Sequence, residues 1–428
     1  MRHALFVAFH YPPEASSSGV LRTLKYSRYL PECGWRVSVI APDVSAYAVC
    51  DPKLEEQIPP GTTVLRTPYL NTKRNLSFRG AYPALFALPD VWIGWMPWAV
   101  RAGLRHMARD PADLVYSTSP HATAHLIAGR LANAAGKPWV ADFRDPWVED
   151  PPEPGTPNGP LFRSGNRWLE RRVVMRSNAI VTSTMHLRDV LRERYRRDVP
   201  REKARAILNG YDEADFVDLR AETAPRGPRL RIVHTGNINA EFRDPRPLFA
   251  ALARVMQRGE LVANECDIRF IGGGPYGEAP EVRTAVAAAG LLSSVSFLPR
   301  VPYEQALREA ASADLLLLLQ ASEDTVGLVP AKLYEYLRTQ KATLALVRTG
   351  AVTEILRETG GGWAVDPANA ESLDSTLVAI VREWRSDRLA ERRADLARLR
   401  MFDRRALTSQ LAALFDELCA TNHAAPAR

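Results

Sequence analysis

The stretch Leu315-Leu316-Leu317-Leu318-Leu319, the polar loop after it, and Pro330-Ala331-Lys332-Leu333-Tyr334-Glu335-Tyr336-Leu337 decide how this chain reads. Five leucines are too few for a membrane span and show no polar alternation, the signature of a strand buried on both faces of a parallel sheet. Pro330 suits the first position of a helix, having no N–H to leave unpaired and a φ already set. A second apolar run, Ala342 to Val347, follows. Strand, loop, helix and strand make a βαβ unit whose loop opens at the carboxyl edge of the sheet.

Open α/β sheets take ligands at that edge, where a helix start adds free N–H groups and a positive dipole end. Lys332 and Glu335 are three apart and share a helix face. Two readings are open: a surface ion pair on an ordinary helix, or a cation facing a diphosphate with a carboxylate accepting from two ribose hydroxyls.

Working outward, 428 residues exceed what one hydrophobic core serves and imply two domains. With 46% hydrophobic and 25% charged residues, wholesale disorder is excluded. The net charge of +7 favours phosphate-bearing ligands or an anionic membrane, and its even spread argues against nucleic acid. Cys33, Cys50, Cys266 and Cys419 form no metal or disulfide pattern, so a reducing cytoplasm is expected. Ala4 to Phe9 is too short for a signal segment and no stretch approaches a membrane span, so membrane contact is expected to be peripheral.

Ala4 to Ala8 reads as the first buried strand, ending in a loop that carries Ser18 and Gly19 and opening a helix before Val37 to Ile40. Gly19 and the serines allow a ligand close to the backbone, although a plain tight connection reads equally well. Tyr82, Phe86, Trp92, Trp95 and Trp98 cluster among prolines, and their readings are core packing or contact with lipid headgroups. Leu114 to Ser117 precedes Ser119-Pro120-His121. Trp139 to Ala141 precedes Asp142-Phe143-Arg144-Asp145, whose carboxylates fit either a structural ion network or a positioned catalytic group.

Leu161 to Ser177 and His186 to Arg197 read as basic helices, with a solvated face or acidic lipid as their readings. The second half repeats the grammar. Leu230 to His234 leads to Gly236-Asn237 and Arg243-Asp244-Pro245, and Asp267 to Ile271 leads to Gly272-Gly273-Gly274-Pro275, which lacks the dinucleotide spacing G-x-G-x-x-G. Leu389 to Leu399 and Phe402 to Cys419 read as helices. The expected domains are 1–217, a linker at 218–229, 230–400, and a tail at 401–428 that packs back on the first domain.

Five segments, Asp142 to Trp147, Asn209-Gly210-Tyr211-Asp212, Gly236-Asn237 with Arg243-Asp244-Pro245, Gly272 to Pro275, and Pro330 to Leu337, occur in the order seen in bacterial retaining glycosyltransferases of family four. The chain resembles that family over nearly its whole length, and most of all the branch serving exopolysaccharide, capsule and lipid-linked glycans. The resemblance implies a GT-B architecture: α/β, two Rossmann-like doubly wound domains with an interdomain cleft, the first for the acceptor and the second for the nucleotide sugar.

By that resemblance Glu335 binds ribose, Lys332 and Arg243 face the diphosphate, and Gly236, Asn237, Gly272, Gly273 and Gly274 line the donor site. Arg300 and Val301 flank the base, and Val329 and Leu333 complete the donor set. Ser18, Gly19 and His121 lie on the acceptor side with Arg144 and Asp145, of which Asp145 positions the acceptor hydroxyl or takes its proton. His121 reads as a wall residue rather than a base. Many members carry E-x7-E; here the first position is Gly327, and its role passes to Glu323, Asp324 or a backbone N–H between Thr325 and Val329.

The activity so implied is transfer of a sugar from a nucleoside diphosphate to an acceptor hydroxyl of a glycan or lipid-linked precursor, with retention. No cofactor and no metal are expected, because no Asp-x-Asp triplet occurs. The expected place is the cytoplasm, at the inner face of the plasma membrane. A sugar-nucleotide epimerase of the same architecture, or a nucleotide-binding scaffold without turnover, are the rival readings; products formed from donor alone separate them.

Overall fold

The structure, a computed structural model, describes residues 1–16, 19–77, 82, 84–148, 159–217, 219 and 227–424. It divides into two compact units, Met1–Asn209 with Arg404–Arg428, and Gly210–Asp403. Ser18, most of the 218–229 stretch and most of the proline-rich loop at 150–160 lie outside the described residues.

The first unit is built on β1 (Arg2–Ala8), β2 (Trp35–Pro42), β3 (Thr63–Thr67), β4 (Leu114–Thr118), β5 (Trp139–Phe143), β6 (Ala179–Thr182) and β7 (Ala204–Ala206). Their order is β3-β2-β1-β4-β5-β6-β7 and every pairing is parallel. Parallel strands need crossovers that cover both faces, which is why β1, β4 and β5 are buried along almost their whole length. The order turns back between β1 and β4, and a switch point of this kind leaves room for a ligand. The helix Arg404–Ala424 packs on one face, where Phe415 meets Phe6, Trp35 and Tyr116 edge-on.

The second unit repeats the plan with β8 (Leu230–Thr235), β9 (Cys266–Ile271), β10 (Val295–Leu298), β11 (Leu315–Gln320), β12 (Ala342–Val347) and β13 (Gly362–Val365). The order is β10-β9-β8-β11-β12-β13, again parallel, with its switch point between β8 and β11. The five leucines are β11, fully buried and in register with β12 from Leu315 opposite Ala342.

The structure differs from the sequence expectations in several places. Pro330 caps the helix Ala331–Arg338 from an extended backbone instead of opening it, so Lys332 sits at its second residue. Strand β5 runs on through Asp142 and Phe143, because Asp142 is neutralised inside the sheet and need not turn out to water. Leu389 to Leu399 is not one helix: two short turns, Leu389–Arg392 and Leu396–Leu399, are split where Ala394 bridges to Gly360. Of the aromatic cluster, Trp95 is wholly buried and donates to Thr67 Oγ1 at 2.7 Å, whereas Phe86 and Trp98 remain exposed.

Candidate active site

In the second unit, β8 and β9 and the helix after β11 bring their ends to one edge. Gly236 has φ 97°, a left-handed backbone that favours glycine, and a Cβ there would stand 2.7 Å from Lys332 Nζ. The Lys332 ammonium donates to the Thr235 carbonyl, and the Tyr336 hydroxyl accepts from Thr235 N–H at 2.8 Å. Strand end and helix are thus tied around the lysine. Gly272 lies beside the backbones of Gly236 and Arg300, Gly273 is buried against Ile238, and Gly274 presses on the Asn237 side chain.

Burial lowers the Lys332 pKa to about 7; the nearby Arg243 charge acts in the same sense and Glu335 opposes it. Arg243 is also held below its ordinary value by burial. Its guanidinium lies over the Phe242 ring at 4.9 Å, and its buried Nε has no hydrogen-bond partner among the described residues. His234, under the same edge, is kept neutral by burial and by Lys332, with Nδ1 on the Leu317 carbonyl at 2.9 Å. Two cations and neutral walls at one sheet edge suit an anion.

Glu335 accepts from the Tyr303 hydroxyl at 2.9 Å, and the same hydroxyl lies 3.3 Å from Asp215. Tyr303 was not singled out in the sequence. Its only signal there is its place at the start of a helix after Pro299-Arg300-Val301-Pro302. Arg300 is exposed and Val301 half-buried beside this helix, while the Leu333 side chain is fully buried and seats the helix.

Around the glycine that stands where many relatives carry glutamate, Gly327 is buried. Glu323 is exposed and paired to Arg348 at 2.8 Å, and Asp324 is exposed. The N–H groups of Val326 and Leu328 close turns onto Glu323 and Thr325. Those of Gly327 and Val329 make no hydrogen bond among the described residues.

In the first unit, Asp142 and Asp145 part company. Asp142 is buried and takes two bonds from Arg22, at 3.0 and 2.9 Å, and one each from Tyr116 (2.6 Å) and Thr118 (2.9 Å). Burial alone would raise its pKa, but Arg22 and these hydroxyls hold it below the ordinary value. Arg22 also donates to the carbonyls of Ile207 and Leu208 and to Asn209. Asp142 is therefore the structural network of the two readings. Asp145 is half-buried and makes no hydrogen bond among the described residues.

The Arg144 backbone N–H donates to Ser119 Oγ at 2.7 Å, and its guanidinium packs so closely on Gly19 that a Cβ there would overlap it. Its Nη1 is buried with no partner among the described residues. His121 is packed between Phe9, Trp92 and His10, with ring centroids 4.3, 5.8 and 5.3 Å away. Burial, then His10 and Arg144, lowers its pKa to about 3, so it is a neutral wall. His10 and Glu14, which the sequence reading passed over, stand beside it.

Comparison with known proteins agrees with the fold. The chain is similar to sucrose-phosphate synthase from Thermosynechococcus elongatus (14% identity, 98% of this chain and 100% of that one, TM-score 0.66). It is similar to a glycosyltransferase from Rickettsia africae (13%, 97% and 98%, TM-score 0.67) and to Anabaena HepE solved with UDP and glucose (14%, 98% and 100%, TM-score 0.64). At these identities the likeness shows the fold, which is GT-B: two parallel Rossmann-like sheets. Residues 19–210 match the family model described as Glycosyl transferase 4-like domain. No curated protein sequence matches the chain.

Proposed function

We propose that the protein is a glycosyltransferase that moves a sugar from a nucleoside diphosphate to an acceptor hydroxyl of a glycan or lipid-linked precursor, with retention. The observation that carries this is the meeting of Lys332 and Arg243, both desolvated and neither neutralised by a buried carboxylate of its own, at the switch-point edge of the second sheet. The match to a Glycosyl transferase 4-like domain supports it, as does the Anabaena relative solved with UDP-glucose.

The hard step is departure of a diphosphate from a carbon that becomes cationic. Lys332, Arg243 and the free N–H groups of Gly327 and Val329 take up the charge that develops, each such donor being worth about 3 to 4 kcal/mol in a dry site. In this reading cationic side chains do the work that a divalent ion does elsewhere. Glu335 accepts the ribose hydroxyls, with Tyr303 holding its carboxylate. Gly272 and Gly274 let the nucleotide approach the backbone, and Arg300 and Val301 flank the base. Retention rests on the family resemblance.

The test is a thermal-shift series with UDP, GDP, ADP and TDP, since a ligand that binds only the folded chain raises its unfolding temperature. At least one is expected to stabilise the protein, and the effect is expected to fall away in Glu335→Ala. A chain indifferent to all four contradicts the reading.

The acceptor is proposed to be presented at an acidic membrane. No helix among the described residues is long and apolar enough to cross one. The helix Pro160–Arg176, however, exposes Leu161, Trp168 and Met175 among arginines, with Arg172 over the Trp168 ring at 5.3 Å. Sedimentation with acidic and with neutral vesicles checks this, and Trp168→Ala is expected to weaken only the acidic case.

A further inference from the structure

We propose that the first unit binds a divalent transition ion of the zinc class through His3, His106 and Asp110, at the amino edge of its sheet; the proposal is independent of the glycosyl-transfer reading above. His3 is the second residue of β1 and lies opposite Arg36 at the start of β2. His106 and Asp110 stand one turn apart at the end of the helix Met96–Arg109, where Asp110 N–H donates to the His106 carbonyl at 2.8 Å. The segment after the helix is fastened to β1: His3 N–H donates to Asp113 Oδ2 at 2.8 Å, and Asp113 N–H to the His3 carbonyl at 2.7 Å.

The donors converge. One ligand atom from each of the three residues lies within 4.8 Å of the other two. Asp110 approaches His3 Nδ1 to 3.8 Å through Oδ1 and His106 Nε2 to 3.9 Å through Oδ2, and the Pro111 carbonyl oxygen is 3.1 Å from the same Nδ1. Ligands at zinc bond lengths stand about 3.3 Å apart in a tetrahedron, so the Pro111 oxygen is already at ligand spacing and Asp110 has about half an ångström to close. The Asp110 side chain is half-buried and shifts at little cost. Two imidazoles, a carboxylate and a carbonyl suit zinc and its neighbours, whereas magnesium and calcium take oxygen ligands.

The hydrogen bonds around His3 already supply the support a ligating imidazole needs. Burial holds its ring neutral against the bond to Pro111, and the Arg36 charge acts with burial. A carbonyl only accepts, so Nδ1 carries the hydrogen, and Nε2 accepts from the Ser38 hydroxyl at 2.9 Å. That hydroxyl has one hydrogen, so Ser38 Oγ accepts in turn from His106 Nε2 at 3.1 Å. An ion at Nδ1 sends the His3 hydrogen to Nε2, where Ser38 Oγ accepts it and fixes the ring, as the far nitrogen of a metal-bound histidine is ordinarily fixed. His106 likewise frees Nε2 by carrying its hydrogen on Nδ1.

Arg36 is the competitor. Its Nη1 donates to Asp110 at 2.6 Å and its Nη2 to the other carboxylate oxygen, and its side chain, 39% exposed, turns outward when an ion takes the carboxylate. The ion ties the start of β1 to the end of the helix. It lies at the opposite ends of the strands from Arg144 and Asp145, so the transfer step runs without it.

The experiment is a calorimetric titration of the full chain, carrying no histidine tag, with Zn²⁺. One ion per chain is expected to bind, and a large excess of Mg²⁺ is expected not to compete. His106→Gln and Asp110→Asn, both at partly exposed positions, are each expected to weaken binding about 100-fold or more. Arg36→Gln is expected to tighten it about tenfold, because a fixed positive charge beside the ion is gone; a plain ion network gives no such gain. Nitrogen NMR is expected to find the His3 hydrogen on Nδ1 before Zn²⁺ is added and on Nε2 after. A chain that takes up no Zn²⁺, affinity unchanged in His106→Gln, affinity lowered in Arg36→Gln, or a His3 hydrogen that stays on Nδ1 at saturation each overturns the proposal and leaves the transfer reading standing.

Discussion

Two sheet edges in this molecule hold charge wholly or partly withdrawn from water and treat it in opposite ways. At the first sheet, Asp142 receives four hydrogen bonds from Arg22, Tyr116 and Thr118, and Arg22 spends further N–H groups on the carbonyls of Ile207 and Leu208. At the second, Lys332 donates to one carbonyl and Arg243 keeps a buried Nε without a partner. The first six strands of each unit follow the same order, the first sheet adding β7 at its edge, so topology does not explain the difference. Charge that is fully partnered fastens the strands; in the reading proposed above, charge left short of partners at a switch point is held for a ligand.

The comparison is broken most severely at the partnered edge. Arg22→Met strands a buried carboxylate and is expected to cost about 3 to 5 kcal/mol of folding stability, read by urea or thermal unfolding. A loss below about 1 kcal/mol would show that this pair is not what fastens the edge. At the other edge Lys332→Met is expected to leave stability unchanged or raise it, because a charge that is costly to bury is gone. Nucleoside-diphosphate affinity is expected to fall by about 1.5 to 3 kcal/mol, read by calorimetry.

The pH dependence sharpens the same contrast. Lys332 has a folded pKa of about 7 against an ordinary 10.5, so between those values the unfolded chain binds more protons than the folded one. Stability from this group therefore rises with pH across that window, and the penalty of the buried ammonium is complete below it. Nucleotide binding runs the other way: a diphosphate requires the protonated amine, so affinity is expected to decline as pH climbs above about 7. Both slopes are expected to vanish in Lys332→Met, and unfolding curves of the two chains at pH 6, 8 and 9.5 check the first.

The smallest effect is expected at Tyr303. Its hydroxyl donates to Glu335, which the proposal assigns to the ribose and not to the diphosphate, so Tyr303→Phe is expected to weaken nucleotide binding by about 1 kcal/mol or less and to leave pyrophosphate binding untouched. An equal loss for both ligands would place Tyr303 at the phosphates.

Much of this was legible in the residues. The unbroken leucines of β11 and the apolar run of β12 announced a parallel sheet, and the segments after each strand of the second unit named Gly236, Gly272 and Lys332, which the fold does bring together. What stayed hidden depends on distance along the chain. Arg22 lies in a helix among other polar residues, and its partner Asp142 is 120 positions away, so no local pattern joins them. His10 and Glu14 do stand four apart, but with Pro12 and Pro13 between them the helical reading of that spacing fails, and only the folded turn shows that they meet. Tyr303 finds Glu335 from another helix, 32 residues away.

The central claim, that a nucleoside diphosphate lodges against Lys332, is tested most directly by counting protons. Calorimetric titration with UDP, GDP, ADP and TDP at pH 8, in two buffers of different ionisation enthalpy, measures proton uptake per ligand bound. The account predicts that at least one of the four binds with uptake of most of one proton in the parent chain and almost none in Lys332→Met. Binding without uptake, or uptake of equal size in both chains, would contradict it.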